Sequence, residues 1–220
     1  MDGQPEPTAA ESAPQVSTKL EYPFAVPIFT ATISDPVALN ARILQEARAM
    51  REQSPGVQRS NRNGWHSETD LFNRTEPGLK ALCQFIVRSV NTVTRRMNPS
   101  FDFKAHAMRS NGWININPPG GYNAPHRHDG FQWSGCYYVN QPEVEEGNSG
   151  MIEFVSPCPG GAEQASLGIA AFRQKYRTRP APGELLIFPS NIMHWVFPNE
   201  AADERVSIAF NATYVLKPPS

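Results

Sequence analysis

The tetrapeptide His126-Arg127-His128-Asp129 closes the stretch GWININPPGGYNAPHRHD, residues 112–129, which decides the fold. This stretch has strand-forming residues and a Pro-Pro-Gly-Gly turn, and no helical periodicity. Side chains two apart on a strand share a face, so His126 and His128 can converge while Arg127 turns away. A third histidine, His194, lies far along the chain. Such an imidazole-rich set favours iron, zinc, copper or nickel over calcium or magnesium.

Short strand-like runs separated by turns fill the chain from about residue 101 to 216, and two helical patterns precede them. This order predicts a mainly β fold with flanking helices, an antiparallel sandwich or barrel buttressed by helices at about 35–98. The first helix is predicted to begin at Ser34-Asp35-Pro36, with an N-cap residue followed by proline. The apolar stripes that predict the helices are Leu39, Ile43, Ala47 and Met50, and then Leu79, Leu82, Ile86, Val90, Val93 and Met97.

The N-terminal residues 1–22 are mostly proline, acidic and small polar residues, which favours a disordered tail. We expect residues 23–220 to form a single domain, because all-β units of this size are usually undivided. The run from Tyr22 to Thr32 contains two prolines and is therefore predicted to be an edge strand.

Composition narrows the cellular setting and the partners. The 20 basic and 21 acidic residues leave a net charge of −1, so we expect no nucleic acid partner. Three cysteines match neither a disulfide framework nor a zinc knuckle, which predicts a reducing, cytoplasmic location. No secretory signal or membrane span is evident, so no membrane partner is expected, and a homodimer stays open.

The segment RVSIAFN, residues 205–211, strengthens the metal hypothesis, because an isolated His-x-His pair often arises by chance. Arg205 follows His194 by 11 positions and shares a strand face with Ser207. A guanidinium with a neighbouring hydroxyl is well suited to hold a carboxylate. Alternation also places Asn115 and Asn117 on one face, where a polar ligand could satisfy them.

In five separate blocks the sequence resembles the Fe(II)/2-oxoglutarate-dependent oxygenases. The blocks that carry the resemblance are, in order, W-x-N-x-N-P-x-G-x-Y-x-x-P-H-x-H (113–128), SGCYYV (134–139), PGELLIFP (182–189), HWV (194–196) and RVS (205–207). It is nearest to a bacterial and phage group and more distantly similar to prolyl and aspartyl hydroxylases. The resemblance implies a double-stranded β-helix, or jelly roll, as in cupins.

The resemblance also implies the cofactors and the reaction. It implies Fe(II) held by His126 and His194, with 2-oxoglutarate on the metal and its far carboxylate on Arg205 and Ser207. Dioxygen would be the oxidant, ascorbate a candidate reductant, and hydroxylation of an unactivated C–H bond the reaction, with release of succinate and CO2. The substrate could be a small molecule or an amino-acid or protein side chain.

One position departs from the family's pattern of two histidines and a carboxylate. His128 stands where the carboxylate is expected, so a three-histidine site is our first hypothesis. The alternatives are a two-histidine site completed by water, or a bulge that brings in Asp129.

Other roles in this resemblance are assigned as follows. Asn115 and Asn117 are predicted 2-oxoglutarate contacts, and of Tyr137 and Tyr138 we favour Tyr137 as the one facing the cavity. Trp133 and Trp195 are candidates for the pocket wall or for the core, and His66 and His106 are taken as ordinary.

Two features leave alternatives open. The 156–182 loop is long enough for a lid, and its basic 173–179 run favours a solvated edge over a substrate-binding ridge. The competing functions are a three-histidine, cupin-like dioxygenase or isomerase that does not use 2-oxoglutarate, and a non-catalytic jelly-roll binding module.

Overall fold

The computed structural model describes residue 19, residues 25–158 and residues 161–218. Apart from Lys19, the predicted tail 1–22 lies outside these residues, as does the start of the predicted edge strand. Among the described residues, no helix is both long and apolar enough to cross a bilayer.

The described chain consists of eleven strands, three α-helices and two 3-10 turns. The helices are α1 (Val37–Gln53), α2 (Pro77–Met97) and α3 (Ala162–Ser166), and the 3-10 turns are Leu71–Asn73 and Ala170–Phe172. The strands are β1 (Phe29–Thr32), β2 (Asn61–Arg62), β3 (Trp65–His66), β4 (His106–Asn117), β5 (Tyr122–His126), β6 (Trp133–Asn140), β7 (Ile152–Val155), β8 (Lys175–Thr178), β9 (Glu184–Pro189), β10 (His194–Val196) and β11 (Arg205–Leu216).

The strands form two antiparallel sheets that together make a double-stranded β-helix, as the sequence predicted. The six-stranded sheet has the order β1-β9-β6-β11-β4-β3, and the five-stranded sheet has the order β2-β5-β10-β7-β8. Strands β4 and β11 form the longest ladder, which pairs Arg205 with Asn117 at one end and Leu216 with His106 at the other. Strand β1 is an edge of its sheet, as predicted, although it begins at Phe29, after both prolines of the predicted run.

Helices α1 and α2 cover one face of the six-stranded sheet. Their buried side chains, Ile43 and Leu82 among them, form one apolar cluster with Ile114, Ile208 and Phe210 of the sheet. Fully burying one such side chain stabilises the fold by about 1.5 to 3 kcal/mol, so this layer anchors the sheet. The opposite face of the same strands turns toward the five-stranded sheet.

The helix boundaries correct two details of the sequence prediction. Met97 was assigned to the apolar stripe, but it is the last residue of α2 and is 54% exposed. At α1 the N-cap position is Pro36 itself, and no side chain caps the helix, so the predicted Ser34 or Asp35 cap is wrong.

Candidate metal centre

The three predicted histidines form one cluster in the space between the sheets. One nitrogen from each of His126, His128 and His194 lies within 4.8 Å of the others. The ring centroids are 4.4 Å apart for His126 and His194, 4.9 Å for His126 and His128, and 5.3 Å for His128 and His194. Within the described residues this is the one group of histidines, cysteines or carboxylates with such spacing.

Two adjacent strands bring His126 and His194 together. His126 is the last residue of β5, His194 is the first of β10, and the two are direct partners in the antiparallel ladder. His128 lies beyond the end of β5, where its backbone N–H donates to the Ser190 carbonyl (2.9 Å). The predicted convergence therefore holds, although the strand has ended before His128.

Backbone carbonyls orient two of the imidazoles. Nδ1 of His126 lies 2.7 Å from the Ala124 carbonyl, and Nδ1 of His194 lies 2.8 Å from the Ile192 carbonyl. A carbonyl oxygen only accepts, so Nδ1 carries the proton in each ring and Nε2 keeps its lone pair. This tautomer leaves Nε2 free to bind a metal.

Burial keeps the cluster uncharged. Burial lowers the pKa of His126, and burial together with the charge on His126 lowers the pKa of His128 to about 4 and that of His194 to about 3. All three rings are therefore neutral at pH 7, which is the form that ligates metals.

Asp129 lies outside this cluster. Its side chain is 69% exposed and pairs with the Arg127 guanidinium, 3.1 Å from Oδ2 to Nε. The geometry thus opposes the alternative in which a bulge brings Asp129 to the metal, and His128 is at the position that the carboxylate would take.

Arg205 lines the same cavity as the three histidines. It is 1% exposed, and its Nε donates to Gln141 Oε1 (3.0 Å) and to the Gly150 carbonyl (3.2 Å). Its Nη1 donates to Ser207 Oγ (3.1 Å), and its Nη2 is buried with no partner among the described residues. The guanidinium also lies 5.2 Å from the centre of the Tyr138 ring.

The two predicted asparagines differ in their surroundings. Asn115 lines the cavity, and its buried Oδ1 has no partner among the described residues. Asn117 is 0% exposed and donates through Nδ2 to Asn123 Oδ1 (3.1 Å), and it is not among the cavity-lining residues. The structure therefore brings Asn115, and not Asn117, to the cavity.

The choice of Tyr137 was wrong. Its hydroxyl donates to Asn40 Oδ1 of helix α1 (2.7 Å), so the ring belongs to the apolar layer beneath the helices. Tyr138 faces the cavity, where its buried hydroxyl has no hydrogen-bond partner among the described residues. Burial raises the pKa of Tyr138 well above its usual value, so the hydroxyl stays protonated and can donate.

Trp133 and Trp195, the candidates for the pocket wall, lie outside the cavity. Trp133 donates through Nε1 to Thr94 Oγ1 of α2 (3.0 Å), and Trp195 donates to Glu153 Oε1 (2.9 Å). Neither of them lines the cavity, whereas Trp113 does.

Trp113 lies between His128 of the cluster and His66, a histidine to which the sequence assigned no function. Its ring lies 5.5 Å from that of His128 and stacks on His66, with centroids 5.3 Å apart and planes 11° apart. His66 therefore supports the cavity wall from behind and is not a member of the metal cluster.

The basic run 173–179 lies along an exposed edge of the five-stranded sheet, and its role stays a prediction. Strand β8 is the outer strand of the five-stranded sheet, and Lys175 and Arg177 pair with the buried Glu153 carboxylate on β7. Burial raises the pKa of Glu153, but the hydrogen bonds from Arg177, Trp195 and Lys175 outweigh burial and hold that pKa below its usual value.

Sequence reasoning missed several cavity residues. Cys136 precedes Tyr138 by two and shares its face, so alternation places it in the cavity only once Tyr138 is known to face inward. Burial raises the pKa of the Cys136 thiol, so the group is neutral. Ser60, Asn123, Gln141 and Gly150 approach the site through tertiary structure, and no local pattern marks them.

The residues present fit a transition metal together with a dicarboxylate. Three neutral imidazoles face one point, which is a suitable donor set for iron or nickel. The orphaned Arg205 Nη2 and Tyr138 hydroxyl are donors of the kind that a carboxylate would satisfy. Fold and site together define a jelly-roll protein with a candidate three-histidine metal centre and a buried arginine in one cavity.

Comparison with known proteins agrees with that class. Residues 111–211 match the family described as "Putative 2OG-Fe(II) oxygenase". No curated protein matches the sequence. The matched residues, a little under half of the chain, include all three clustered histidines together with Arg205 and Ser207, and they are similar to the Fe(II)/2-oxoglutarate-dependent oxygenases.

Several solved structures share the fold. A Pseudomonas putida prolyl-4-hydroxylase is 16% identical, with 87% of this chain and 93% of that chain covered and a TM-score of 0.58. A Trichoplax adhaerens prolyl hydroxylase, in complex with a hypoxia inducible factor peptide fragment, is 15% identical, with 87% and 84% covered and a TM-score of 0.58. HygX from Streptomyces hygroscopicus, with nickel, 2-oxoglutarate and hygromycin B bound, is 14% identical, with 84% and 82% covered and a TM-score of 0.54.

Proposed function

We propose that this protein is an Fe(II)- and 2-oxoglutarate-dependent dioxygenase that hydroxylates an unactivated C–H bond of its substrate and releases succinate and CO2. The observation that carries the proposal is that three converging histidines share one cavity with a buried arginine that no described carboxylate neutralises. A metal site and a carboxylate site in the same enclosed space are what a chelating 2-oxo acid requires.

His126, His128 and His194 would hold the iron. The carbonyl contacts of His126 and His194 fix their ring orientation before a metal arrives, which reduces the entropy cost of binding. Because all three ligands are neutral, the iron keeps its full positive charge, and a dianionic cosubstrate offsets it better than a neutral one would.

Arg205 and Ser207 would hold the far carboxylate of 2-oxoglutarate. Nη2 of Arg205 and the hydroxyl of Tyr138 are both buried without partners in the described part of the chain, and each can donate to a carboxylate oxygen. The Ser207 hydroxyl already accepts from Arg205 Nη1, so its own proton is available for a carboxylate oxygen. Asn115 is placed to add an amide contact on the same wall.

The bound metal and cosubstrate would supply the oxidising chemistry for the hydroxylation. The chain's part is to orient the cosubstrate and to exclude water. Ile152, Phe188 and Val196 contribute apolar surface to the cavity beside the polar groups. This low-polarity surrounding strengthens each hydrogen bond to a bound carboxylate.

The proposed substrate is a small molecule or an amino-acid or protein side chain. The solved relatives include a prolyl hydroxylase with a peptide and HygX with hygromycin B, and a peptide or a small molecule would suit this chain equally. A cytoplasmic location, a homodimer and the absence of nucleic acid stay predictions.

The test of the proposal is turnover of 2-oxoglutarate without substrate. Purified protein with Fe(II), ascorbate and 2-oxoglutarate should form succinate slowly, and His194→Ala and Arg205→Ala should abolish it. Arg127→Ala is the matched control, because that guanidinium is on the surface and its side chain is 56% exposed. No succinate from any metal-loaded form of the wild type would contradict the proposal.

The cupin-like alternative without 2-oxoglutarate gains support from His128 and is opposed by Arg205 and Ser207. Thermal denaturation of the nickel-loaded protein with the inert analogue N-oxalylglycine separates the two. A ligand that binds only the folded state raises the midpoint, so no shift at millimolar analogue would favour the alternative.

A further inference from the structure

The Arg205 guanidinium is held in place by uncharged groups only. Its acceptors are a carboxamide oxygen of Gln141, a backbone carbonyl of Gly150 and a hydroxyl of Ser207. None of the cavity-lining residues is an aspartate or a glutamate. A buried cation without a counter-ion is costly to the folded protein, so its retention here suggests that an incoming anion completes the site.

Gln141 restricts the direction in which Arg205 can present its donors. Its Oε1 and the Gly150 carbonyl both accept from Nε, at 3.0 Å and 3.2 Å, which occupies the inner edge of the guanidinium. The terminal edge, made of Nη1 and Nη2, is left to face Ser207 and the cavity. Gln141 itself is 7% exposed, so water does not compete effectively for this contact.

The backbone of Gly150 packs closely against the side chains of Gln141 and Arg205. This glycine has a φ of +63°, and a Cβ there would lie 2.6 Å from Gln141 Nε2 and 3.0 Å from Arg205 Cδ. Gly150 thus allows the Gln141 amide and the Arg205 side chain to lie against the backbone. The 147–150 turn and the end of β6 together form the support for the guanidinium.

From these contacts we propose that Gln141 is the positioning residue for cosubstrate recognition, orienting Arg205 while leaving its charge unneutralised. The inference rests on the proposed function, because it assumes that the anion is 2-oxoglutarate. Glutamate has the same length and shape as glutamine, but at this position it would be an internal counter-ion. The neutral amide therefore determines whether the arginine is available for a dicarboxylate.

The test is the pair Gln141→Glu and Gln141→Met, with nickel-loaded protein and N-oxalylglycine as the probe. Gln141→Glu should weaken binding of the analogue at least tenfold, while the ligand-free melting midpoint stays equal to that of the wild type or rises. Gln141→Met removes the acceptor without adding charge, so it should lower both the affinity and the midpoint. A loss of affinity without a fall in the melting midpoint in Gln141→Glu is what a merely structural residue would not produce.

Gln132→Glu is the matched control. Gln132 hydrogen-bonds to the backbone of Tyr214 through both ends of its amide and does not line the cavity. It should leave analogue affinity unchanged. Nickel content should equal that of the wild type in every variant, because the histidines are untouched.

The outcomes separate this inference from the proposed function. If the wild type binds the analogue and Gln141→Glu binds it equally well, the role of Gln141 is wrong and the proposed function stands. If Gln141→Glu loses affinity but also melts well below the wild type, the loss comes from a damaged fold, which also overturns the inference. If the wild type itself does not bind the analogue, the cosubstrate assignment and the inference fall together.

Discussion

Tyr137 and Tyr138 are neighbours in strand β6, yet their hydroxyls lie on opposite sides of the six-stranded sheet. The Tyr137 hydroxyl donates to Asn40 of helix α1 (2.7 Å), whereas the Tyr138 ring lies in the cavity, 5.2 Å from the Arg205 guanidinium. The two residues have the same chemistry and similar burial, so they form a natural matched pair.

Replacing each tyrosine by phenylalanine should separate binding from stability. Tyr138→Phe removes a donor that only a ligand can use, so N-oxalylglycine affinity should fall by about five- to tenfold, or about 1 kcal/mol, with little change in stability. Tyr137→Phe leaves the Asn40 amide oxygen without its partner and should lower the free energy of unfolding by about 1 to 2 kcal/mol, with unchanged affinity. Calorimetry and urea denaturation measure the two quantities, and equal effects of both variants on affinity would contradict the assignment.

Substitution of His128 should reduce the metal content of the protein, whereas substitution of Asp129 should not. His128→Ala should weaken nickel or iron binding by at least about 100-fold, since even indirect partners of a metal ligand contribute 10- to 100-fold. His128→Asp should retain much of the binding, because a carboxylate is the usual third ligand in such sites. Metal analysis of protein made without a histidine tag measures this.

Asp129→Asn is the control for that series. Its side chain is largely exposed and pairs with Arg127, so the metal content should match that of the wild type. Full metal occupancy in His128→Ala together with a loss in Asp129→Asn would show that the third ligand has been misassigned.

The ionised Glu153 carboxylate should contribute to the free energy of unfolding, and this contribution should be lost in acid. Hydrogen bonds from Arg177, Trp195 and Lys175 hold its pKa below the usual value against the opposing effect of burial. A group with a lowered folded-state pKa contributes stability above its unfolded pKa and loses it as the pH falls. Glu153→Gln should therefore cost about 1 kcal/mol at pH 7, a modest value because Lys175 and Arg177 are half exposed.

The difference between wild type and Glu153→Gln should shrink as the pH falls below about 4.5, the ordinary value for a glutamate. Urea denaturation at pH 7, 5 and 3.5 measures it, and Glu145→Gln, at an exposed loop position, is the control. A difference that stays constant across this range would mean that the charge of Glu153 contributes nothing.

Alanine substitutions at Asn115 and Asn117 should have different effects, the first on ligand affinity and the second on stability. Asn115→Ala should weaken N-oxalylglycine binding several-fold, because the Asn115 amide lines the cavity and its Nδ2 group can donate to a carboxylate oxygen. Asn117→Ala breaks the hydrogen bond to Asn123 and should lower stability by about 1 kcal/mol. Calorimetric affinity and denaturation midpoints distinguish them, and an affinity loss confined to Asn117→Ala would reverse the assignment.

Strand alternation accounts for most of what could be predicted about the site. In β11 the set Val206, Ile208 and Phe210 was separated from Arg205 and Ser207 by period alone, and the structure places the first set under the helices and the second in the cavity. The same rule marked Tyr137 and Tyr138 as opposed but could not tell which one faced inward. The absolute phase of a strand depends on which of its faces the helices cover.

The sequence by itself determined the chemistry: three histidines, an arginine followed two residues later by a serine, and the strand and helix periods that indicated a helix-buttressed β fold. Tertiary structure alone decided the phase of β6, the place of His128 beyond its strand, and the approach of Gln141 and Gly150 to Arg205. The reason is physical, because local periods act within one strand or helix. The partners of a buried charge come from segments that meet only when the sheets close.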